Sequence, residues 1–214
     1  YLRTYYEDSS TQYGVNKPLS VKKADGQWTA YDFPVDMPNP VTTITGLLID
    51  AADIKWLKIR DQGLLIFDDS KTKKIGFSST NGALPGSNVN CLTLDKDGAI
   101  WIGTNQGIAV AYSAADLFSG ANVEIPNLVE NGFLKPLLAS QNVKCIAVDG
   151  ANRKWIGTDN GVWLFNGSGT QQIQYFNTSN SPLLNNSVIS IAIDDANGEV
   201  FFGTISGVIS YKGD

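Results

Sequence analysis

The sequence predicts an all-β fold of repeated four-stranded antiparallel units, and three observations carry this prediction. First, a short aromatic and glycine phrase recurs along the chain. Second, the aromatic residues that open the copies are spaced by 45, 54 and 46 residues. Third, each copy follows a short apolar line with no extended helical period. The copies are "KWLKIRDQG" (55–63), "IWIGTNQG" (100–107), "KWIGTDNG" (154–161) and "VFFGTISG" (200–207).

The local pattern identifies the repeat as a blade. A period of roughly 40–50 residues is typical of propeller blades or helical arrays. The lines before each copy are β-branched and apolar on both faces, as expected of a strand buried from both sides. A second strand with the aromatic residue, a third strand and a more polar fourth strand follow, which predicts a β-propeller. The first-strand lines are "ITGLLID" (44–50), "VNCLTLD" (89–95), "VKCIAVD" (143–149) and "VISIAID" (188–194).

The repeats divide the chain into about five units, three complete and two partial. The first residue is Tyr1, with no initiator Met and no signal-peptide pattern, so we interpret the chain as mature or as part of a longer protein with a larger propeller. "LRTYY" (2–6) is expected to be a strand of the first unit. An open arc, a ring closed by further residues, and a dimer that closes the ring all stay open. The units cover approximately residues 1–33, 41–78, 89–127, 143–176 and 188–214.

Composition excludes several classes of function. The net charge of −5 argues against nucleic acid, whose binding depends on clustered Lys and Arg, and no apolar run is long enough to span a membrane. The chain has no histidine, which removes histidine-dependent nucleophilic and zinc sites. Asp95 and Asp97 are explained by a hairpin turn better than by calcium. We therefore predict no metal, no cofactor and no enzyme; a glycosidase that uses two carboxylates is the enzyme class left open.

The aromatic residues of the repeated phrase are predicted to fill the space between blades. Side chains alternate along a strand, so Trp101 shares a face with Gly103, which leaves room for an aromatic ring. Cys91 and Cys145 occupy the same position of successive first strands. Because packed sheets lie about 10 Å apart, we expect free thiols rather than a disulfide. The predicted core residues are Trp56, Trp101, Trp155 and Phe201.

One face of the propeller is predicted to carry the binding site. The connections from second to third strands and from fourth to first strands emerge on the same face. Their amide side chains suit sugar hydroxyls, although turn formation explains the same residue types. In the long insertion, Lys135 is an available cation and "SAADLF" (113–118) predicts a helical turn capped by Ser113. Trp163 is either a stacking platform or blade packing. The candidate ligand-binding residues are Asp61, Gln62, Asn105, Gln106, Asp159, Asn160 and Lys135.

Two stretches resemble a known family. "LTLDKDGAIWIGTNQGI" (92–108) resembles the repeat of the two-component regulator propeller family, and "FNTSNSPLLNNSVISIAID" (176–194) resembles the last propeller of its PorZ-type branch in type IX secretion. The resemblance implies a non-catalytic extracytoplasmic module. The partner would be an anionic lipopolysaccharide or glycan, or proteins of a surface complex. The alternative is the oligosaccharide sensor of a hybrid histidine kinase. "WLKIR" (56–60) departs from the family's Trp-Ile-Gly-Thr.

Overall fold

The described part of the chain is almost wholly β-structure. The structure is a computed structural model that describes residues 19–31, 43–77, 83–130 and 132–213. These residues form eighteen strands and one short helix, and all strand pairs are antiparallel. The predicted all-β fold of antiparallel propeller blades is confirmed. The strand expected at residues 2–6 lies outside the described residues.

Two blades have four strands, each in chain order. We number the blades after the predicted units. Blade 2 consists of β3 (Ile44–Ile49), β4 (Lys55–Ile59), β5 (Gly63–Phe67) and β6 (Thr72–Ile75). Blade 4 consists of β12 (Val143–Val148), β13 (Lys154–Thr158), β14 (Gly161–Phe165) and β15 (Gln172–Phe176).

Two further blades have three strands each. Where blade 3 would have a fourth strand, a single bridge joins Val110 to Glu124, with N···O distances of 2.7 and 2.9 Å. Within the connection to this bridge lies helix α1 (Ala114–Phe118), and the Ser113 hydroxyl caps it by accepting from the Asp116 N–H at 3.2 Å, as predicted. Blade 3 consists of β7 (Val89–Leu94), β8 (Ile100–Thr104) and β9 (Gly107–Ala111); blade 5 consists of β16 (Val188–Asp194), β17 (Glu199–Thr204) and β18 (Gly207–Tyr211).

Two hairpins stand beside the blades. The N-terminal hairpin, β1 (Leu19–Lys22) and β2 (Trp28–Tyr31), packs on blade 2, where the rings of Tyr31 and Phe67 lie 4.8 Å apart. The insertion hairpin, β10 (Asn127–Glu130) and β11 (Phe133–Pro136), lies between blades 3 and 4 in sequence. It forms one wall of a groove beside blade 4.

Tryptophan and glycine fit successive blades together. Trp56, Trp101 and Trp155 are each 1% exposed. The glycine two residues after Trp101 and the one two residues after Trp155 each receive an apolar residue of the next blade. A Cβ atom added to Gly103 would lie 2.7 Å from a methyl group of Val143, and one on Gly157 would lie 3.0 Å from Val188. The small residue therefore makes the space that the next blade fills.

Phe201 is an exception to the core prediction. It has the same strand register as the three tryptophans, since it pairs with Ala192 as Trp155 pairs with Ala147. Its side chain is nevertheless 36% exposed. The tryptophan face of each blade is covered by the blade that follows it, and none follows blade 5 among the described residues. Phe201 is therefore at the surface.

Candidate functional site

A repeated β-bulge aims one side chain of each first strand out of the regular ladder. The pairing register shifts after the first residue of β3, β7, β12 and β16. The residues inside the shift are Thr45, Asn90, Lys144 and Ile189. Bulges commonly redirect a side chain in this way. Because the four first strands run beside one another, three of these side chains, Thr45, Asn90 and Lys144, line one groove.

This inner groove has a volume of about 420 Å³ and a polar lining. Three cations from two blades meet there, although the whole chain carries a net charge of −5. Three asparagine amides add both donors and acceptors. The inner groove is lined by Thr45, Lys58, Ile59, Arg60, Asp61, Asn88, Val89, Asn90, Asn142 and Lys144.

Lys58 reaches the inner groove because, in blade 2, the larger and the smaller side chain of one cross-strand pair have exchanged strands. In blades 3 and 4 the first strand carries a cysteine and the second strand a glycine, in the pairs Cys91–Gly103 and Cys145–Gly157. In blade 2 the glycine is on the first strand, as Gly46, and the large side chain is Lys58 on the second. A Cβ atom on Gly46 would collide with the Lys58 side chain. The departure from the family phrase therefore introduces a cation at the groove.

A chain of hydrogen bonds crosses four blades along the groove. Lys58 Nζ of blade 2 donates to the Asn90 carbonyl of blade 3 at 2.5 Å. The Asn90 amide donates to Asn142 Oδ1 at 2.8 Å, and the Asn142 amide donates to Asp159 Oδ2 at 2.7 Å. Ser187, which precedes blade 5, donates to Asp159 Oδ1 at 3.2 Å. These contacts hold the groove residues in fixed positions.

The charges of the inner groove are partly balanced. Lys144 forms an ion pair with Asp159 and also donates to the Ser187 hydroxyl at 2.6 Å. The hydrogen bond from Lys144 is the main cause that lowers the pKa of Asp159, which therefore stays ionised at neutral pH. Arg60 is exposed at the rim and Asp61 is beside it. With both carboxylates counted against Lys58, Arg60 and Lys144, one positive charge remains.

The structure brings three of the predicted ligand-binding residues to the inner groove. Asp61 is part of its lining. Asp159 is at its edge through Lys144 and Asn142. Asn105 reaches it indirectly, because its Oδ1 accepts from the backbone N–H of Asn88 at 3.2 Å.

Three other predicted residues are not in the lining of the inner groove. Gln62 is half-buried, and its side-chain oxygen has no hydrogen-bond partner among the described residues. The N–H groups of Gln106 and Asn160 donate to buried threonine hydroxyls, at 3.1 and 3.0 Å. The Asn160 amide turns away from the inner groove and donates to Gln141 Oε1 at 2.7 Å. At Gln106 and Asn160 the turn itself explains the residue type.

Lys135 belongs to a second cavity. This outer groove, with a volume of about 570 Å³, lies between the insertion hairpin and the third and fourth strands of blade 4. Trp163, for which the sequence left a platform and blade packing open, is also in its lining. The outer groove is lined by Leu128, Val129, Lys135, Pro136, Leu138, Ala139, Gln141, Trp163, Thr170, Gln171 and Gln172.

The aspartates that follow the first strands have a structural role that was not predicted from the sequence. Six residues before each buried tryptophan stands an aspartate, and its carboxylate accepts the indole N–H. The N···O distances are 2.9 Å for Trp56 and Asp50, 2.9 Å for Trp101 and Asp95, and 3.1 Å for Trp155 and Asp149. The constant spacing in all three units is the signal that could have revealed it. These aspartates are therefore committed to the fold.

Two further findings concern metals and membranes. Over the ranges that the structure describes, no group of three or more Cys, Asp or Glu side chains is placed to hold a metal ion. The helix of this part of the chain has five residues, far fewer than a membrane span requires.

Repeated antiparallel blades with adjacent first strands define a β-propeller arc, and the sequence agrees with this class. Residues 83–106 match the family described as two component regulator propeller. The match covers the residues before blade 3 and its first two strands. A comparison with curated proteins gives no match.

Several solved structures share the fold. PorZ of Porphyromonas gingivalis, described as an essential bacterial surface component of the type-IX secretion system, has 24% identity and a TM-score of 0.74 over 88% of this chain and 28% of its own. The extracellular domain of the hybrid two component system BT4673 from B. thetaiotaomicron has 20% identity and a TM-score of 0.63 over 94% of this chain and 25% of its own. The extracellular domain of the hybrid two component system BT3049 from the same organism has 23% identity and a TM-score of 0.58 over 86% of this chain and 22% of its own. This chain thus spans less than a third of each of these structures.

Proposed function

We propose that this chain is a non-catalytic, extracytoplasmic propeller module that binds an anionic glycan in the inner groove. The observation that carries the proposal is the convergence of Lys58, Arg60 and Lys144 with three asparagine amides in a cavity of about 420 Å³. Amides match sugar hydroxyls as donors and acceptors, and cations match phosphate or carboxylate substituents. A PorZ-like surface component that binds lipopolysaccharide would use such a site.

The electrostatic setting gives the proposal a specific form. At long range an anionic ligand is repelled by a chain of net charge −5, so affinity has to come from local contacts. Arg60 is exposed at the rim and is suited to bidentate contacts with phosphate. Lys144 lies deeper and would exchange part of its ion pair with Asp159 for the ligand. Binding should therefore weaken as salt rises.

The test is calorimetric titration of the chain with the de-acylated polysaccharide of an anionic lipopolysaccharide. The Arg60→Gln, Lys144→Gln double variant should bind at least about tenfold more weakly than the parent. Lys96→Gln is the matched control, because Lys96 is an exposed cation in the turn at the other end of the strands. If the polysaccharide does not bind to the parent, or if the double variant binds equally well, the inner groove is not the site.

A second candidate function is supported by a separate observation. The BT4673 and BT3049 structures are extracellular domains of two component systems, and both share the fold of this chain. As part of such a sensor, the module would bind a neutral oligosaccharide in the same groove. Neutral oligosaccharide binding that does not depend on Arg60 or on salt would favour this candidate. If no glycan binds, the remaining function is a scaffold for a protein partner.

A further inference from the structure

The outer groove contains an aromatic residue that the repeat does not require. Trp163 pairs with Ile156 on the second strand of blade 4 and with Tyr175 on the fourth. The same register position is occupied by Leu65 in blade 2 and by Ile209 in blade 5. Trp163 packs against the core between blades 3 and 4, but other blades have an aliphatic side chain at this position, so blade packing alone does not require a tryptophan.

Trp163 is held in an aromatic stack. Its ring lies 3.9 Å from the ring of Tyr175 and 6.3 Å from that of Phe165, with interplanar angles of 26° and 10°. The Tyr175 hydroxyl donates to the Asn160 carbonyl at 2.6 Å, which fixes that ring in turn. The half-buried indole is thus a rigid part of the groove wall.

The indole nitrogen of Trp163 lacks a partner. It is buried and has no hydrogen-bond acceptor among the described residues, whereas Trp56, Trp101 and Trp155 each donate to an aspartate. A buried donor without an acceptor costs about 1–3 kcal/mol. Because this nitrogen is closed to solvent, the unpaired donor marks an unsatisfied position inside the groove wall, and contact with a ligand falls to the exposed part of the ring.

The rim of the outer groove adds polar groups in fixed positions. Asn166 Oδ1 accepts from the backbone N–H groups of Thr170 and Gln171, at 2.9 and 3.1 Å. That turn holds a hydroxyl and two amide side chains, those of Gln171 and Gln172, at the edge of the groove. The opposite wall is mostly apolar, formed by Leu128 and Pro136 of the insertion hairpin and by Leu138, and the hairpin also contributes the cation Lys135.

We infer that the outer groove is a second binding site, separate from the inner groove, for a short neutral oligosaccharide. A sugar ring has an apolar C–H face and a rim of hydroxyls, which matches an aromatic wall with amides along its edge. A volume of about 570 Å³ lies within the range of about 300–1,000 Å³ of small-molecule sites. A proline-rich peptide also docks on aromatic side chains, but it would leave the amides of the rim with few hydroxyl partners.

The experiment uses four hexasaccharides of glucose, mannose and xylose that differ in linkage, together with a decaproline peptide. Tryptophan fluorescence and calorimetry follow the titration of the parent. Trp163→Leu introduces the residue type that blade 2 has at this position, so the fold should accept the substitution. Trp28→Leu is the matched control, because Trp28 is 59% exposed on the N-terminal hairpin. A Gln171→Ala, Gln172→Ala variant probes the rim without altering the core.

We expect at least one hexasaccharide to bind to the parent and to Trp28→Leu with equal affinity. Trp163→Leu and the double glutamine variant should each weaken binding by about tenfold or more. The inference is wrong if no hexasaccharide binds, if binding survives in both variants, or if only decaproline binds. The Arg60→Gln, Lys144→Gln variant should bind the hexasaccharide as the parent does, so failure of the inner-groove proposal is distinguished from failure of this one.

Discussion

Lys154 of blade 4 places its Nζ atom 3.0 Å from Oδ2 of Asp95 in blade 3, and both side chains are almost completely buried. The same ammonium group lies 4.9 Å above the ring of Trp101. It also donates to the carbonyl of Asn152 at 2.7 Å. The buried ammonium group therefore links the carboxylate that anchors Trp101 in blade 3 to the turn that precedes β13 in blade 4.

Removing one partner of this pair should destabilise the chain strongly. Asp95→Asn and Lys154→Met should each cost about 3–5 kcal/mol, because the remaining charge stays buried without its partner. The double variant should lose less than the sum of the two single losses. Urea denaturation of the four proteins measures the coupling; additive losses would mean that the two residues do not act together.

The acid dependence of stability provides a control for this pair. Burial alone would raise the pKa of Asp95, but hydrogen bonds from Trp101, Lys154 and Ala99 outweigh it and lower the pKa. The stabilisation is present above the unfolded pKa of about 3.9 and is lost as the pH falls through the lower folded value. The parent should therefore lose stability below about pH 4, and Asp95→Asn should show a smaller loss over the same range.

Alanine substitution should cost more stability at the buried tryptophans than at Phe201, which shares their strand register. Trp101→Ala and Trp155→Ala should each lower the free energy of unfolding by about 3–5 kcal/mol, because each leaves a cavity between blades. Phe201 is 36% exposed, so Phe201→Ala should cost about 1 kcal/mol. Thermal and urea unfolding check the order. An equal cost at Phe201 would show that its face is covered in solution.

Both cysteines should be unreactive in the native protein. Burial raises the pKa of Cys91 and of Cys145 to about 12, so almost no thiolate exists at neutral pH. Alkylation followed by mass measurement should label neither thiol in buffer and both in denaturant without reductant. A chain that stays unlabelled in denaturant would contain a disulfide, and the parallel positions of β7 and β12 would then be wrong.

Substitutions at Gly46 and Lys58 can return the small side chain of this pair to the second strand, as in blades 3 and 4. Gly46→Cys alone should cost about 1–2 kcal/mol, because the Lys58 side chain has to move and loses its hydrogen bond to the Asn90 carbonyl. Gly46→Cys with Lys58→Gly recreates the pair of blades 3 and 4 and should recover most of that loss. Differential scanning calorimetry measures this recovery. If the double variant is less stable than either single variant, the two positions are not complementary.

Much of the architecture follows from local patterns in the sequence. In blades 3, 4 and 5 the aromatic residue and the glycine two positions later fix the strand register, since one slip would move both to the opposite face. The structure has the expected strands around Trp56, Trp101 and Trp155. The exposure of Phe201 could not be foreseen from the repeat alone, because burial of this position depends on the blade that follows.

The candidate site was less accessible to sequence reasoning. The turn residues stand out in the alignment of the repeats, but several of them, such as Asn160, are bound within the turns. Three of the residues that line the inner groove, Thr45, Asn90 and Lys144, come from bulged positions, which the repeat pattern did not reveal. The groove that contains Lys135 depends on how the insertion hairpin folds back, which strand periodicity does not specify.

Chemical-shift mapping tests the central claim, an anionic glycan in the inner groove, most directly. The ¹⁵N-labelled chain is titrated with the de-acylated polysaccharide, and the backbone and side-chain amide signals are followed. We predict that the signals of Asn88, Asn90 and Asn142 shift together and saturate with one affinity, which falls as salt rises. Shifts confined to other parts of the chain, or no shifts at all, would contradict the account.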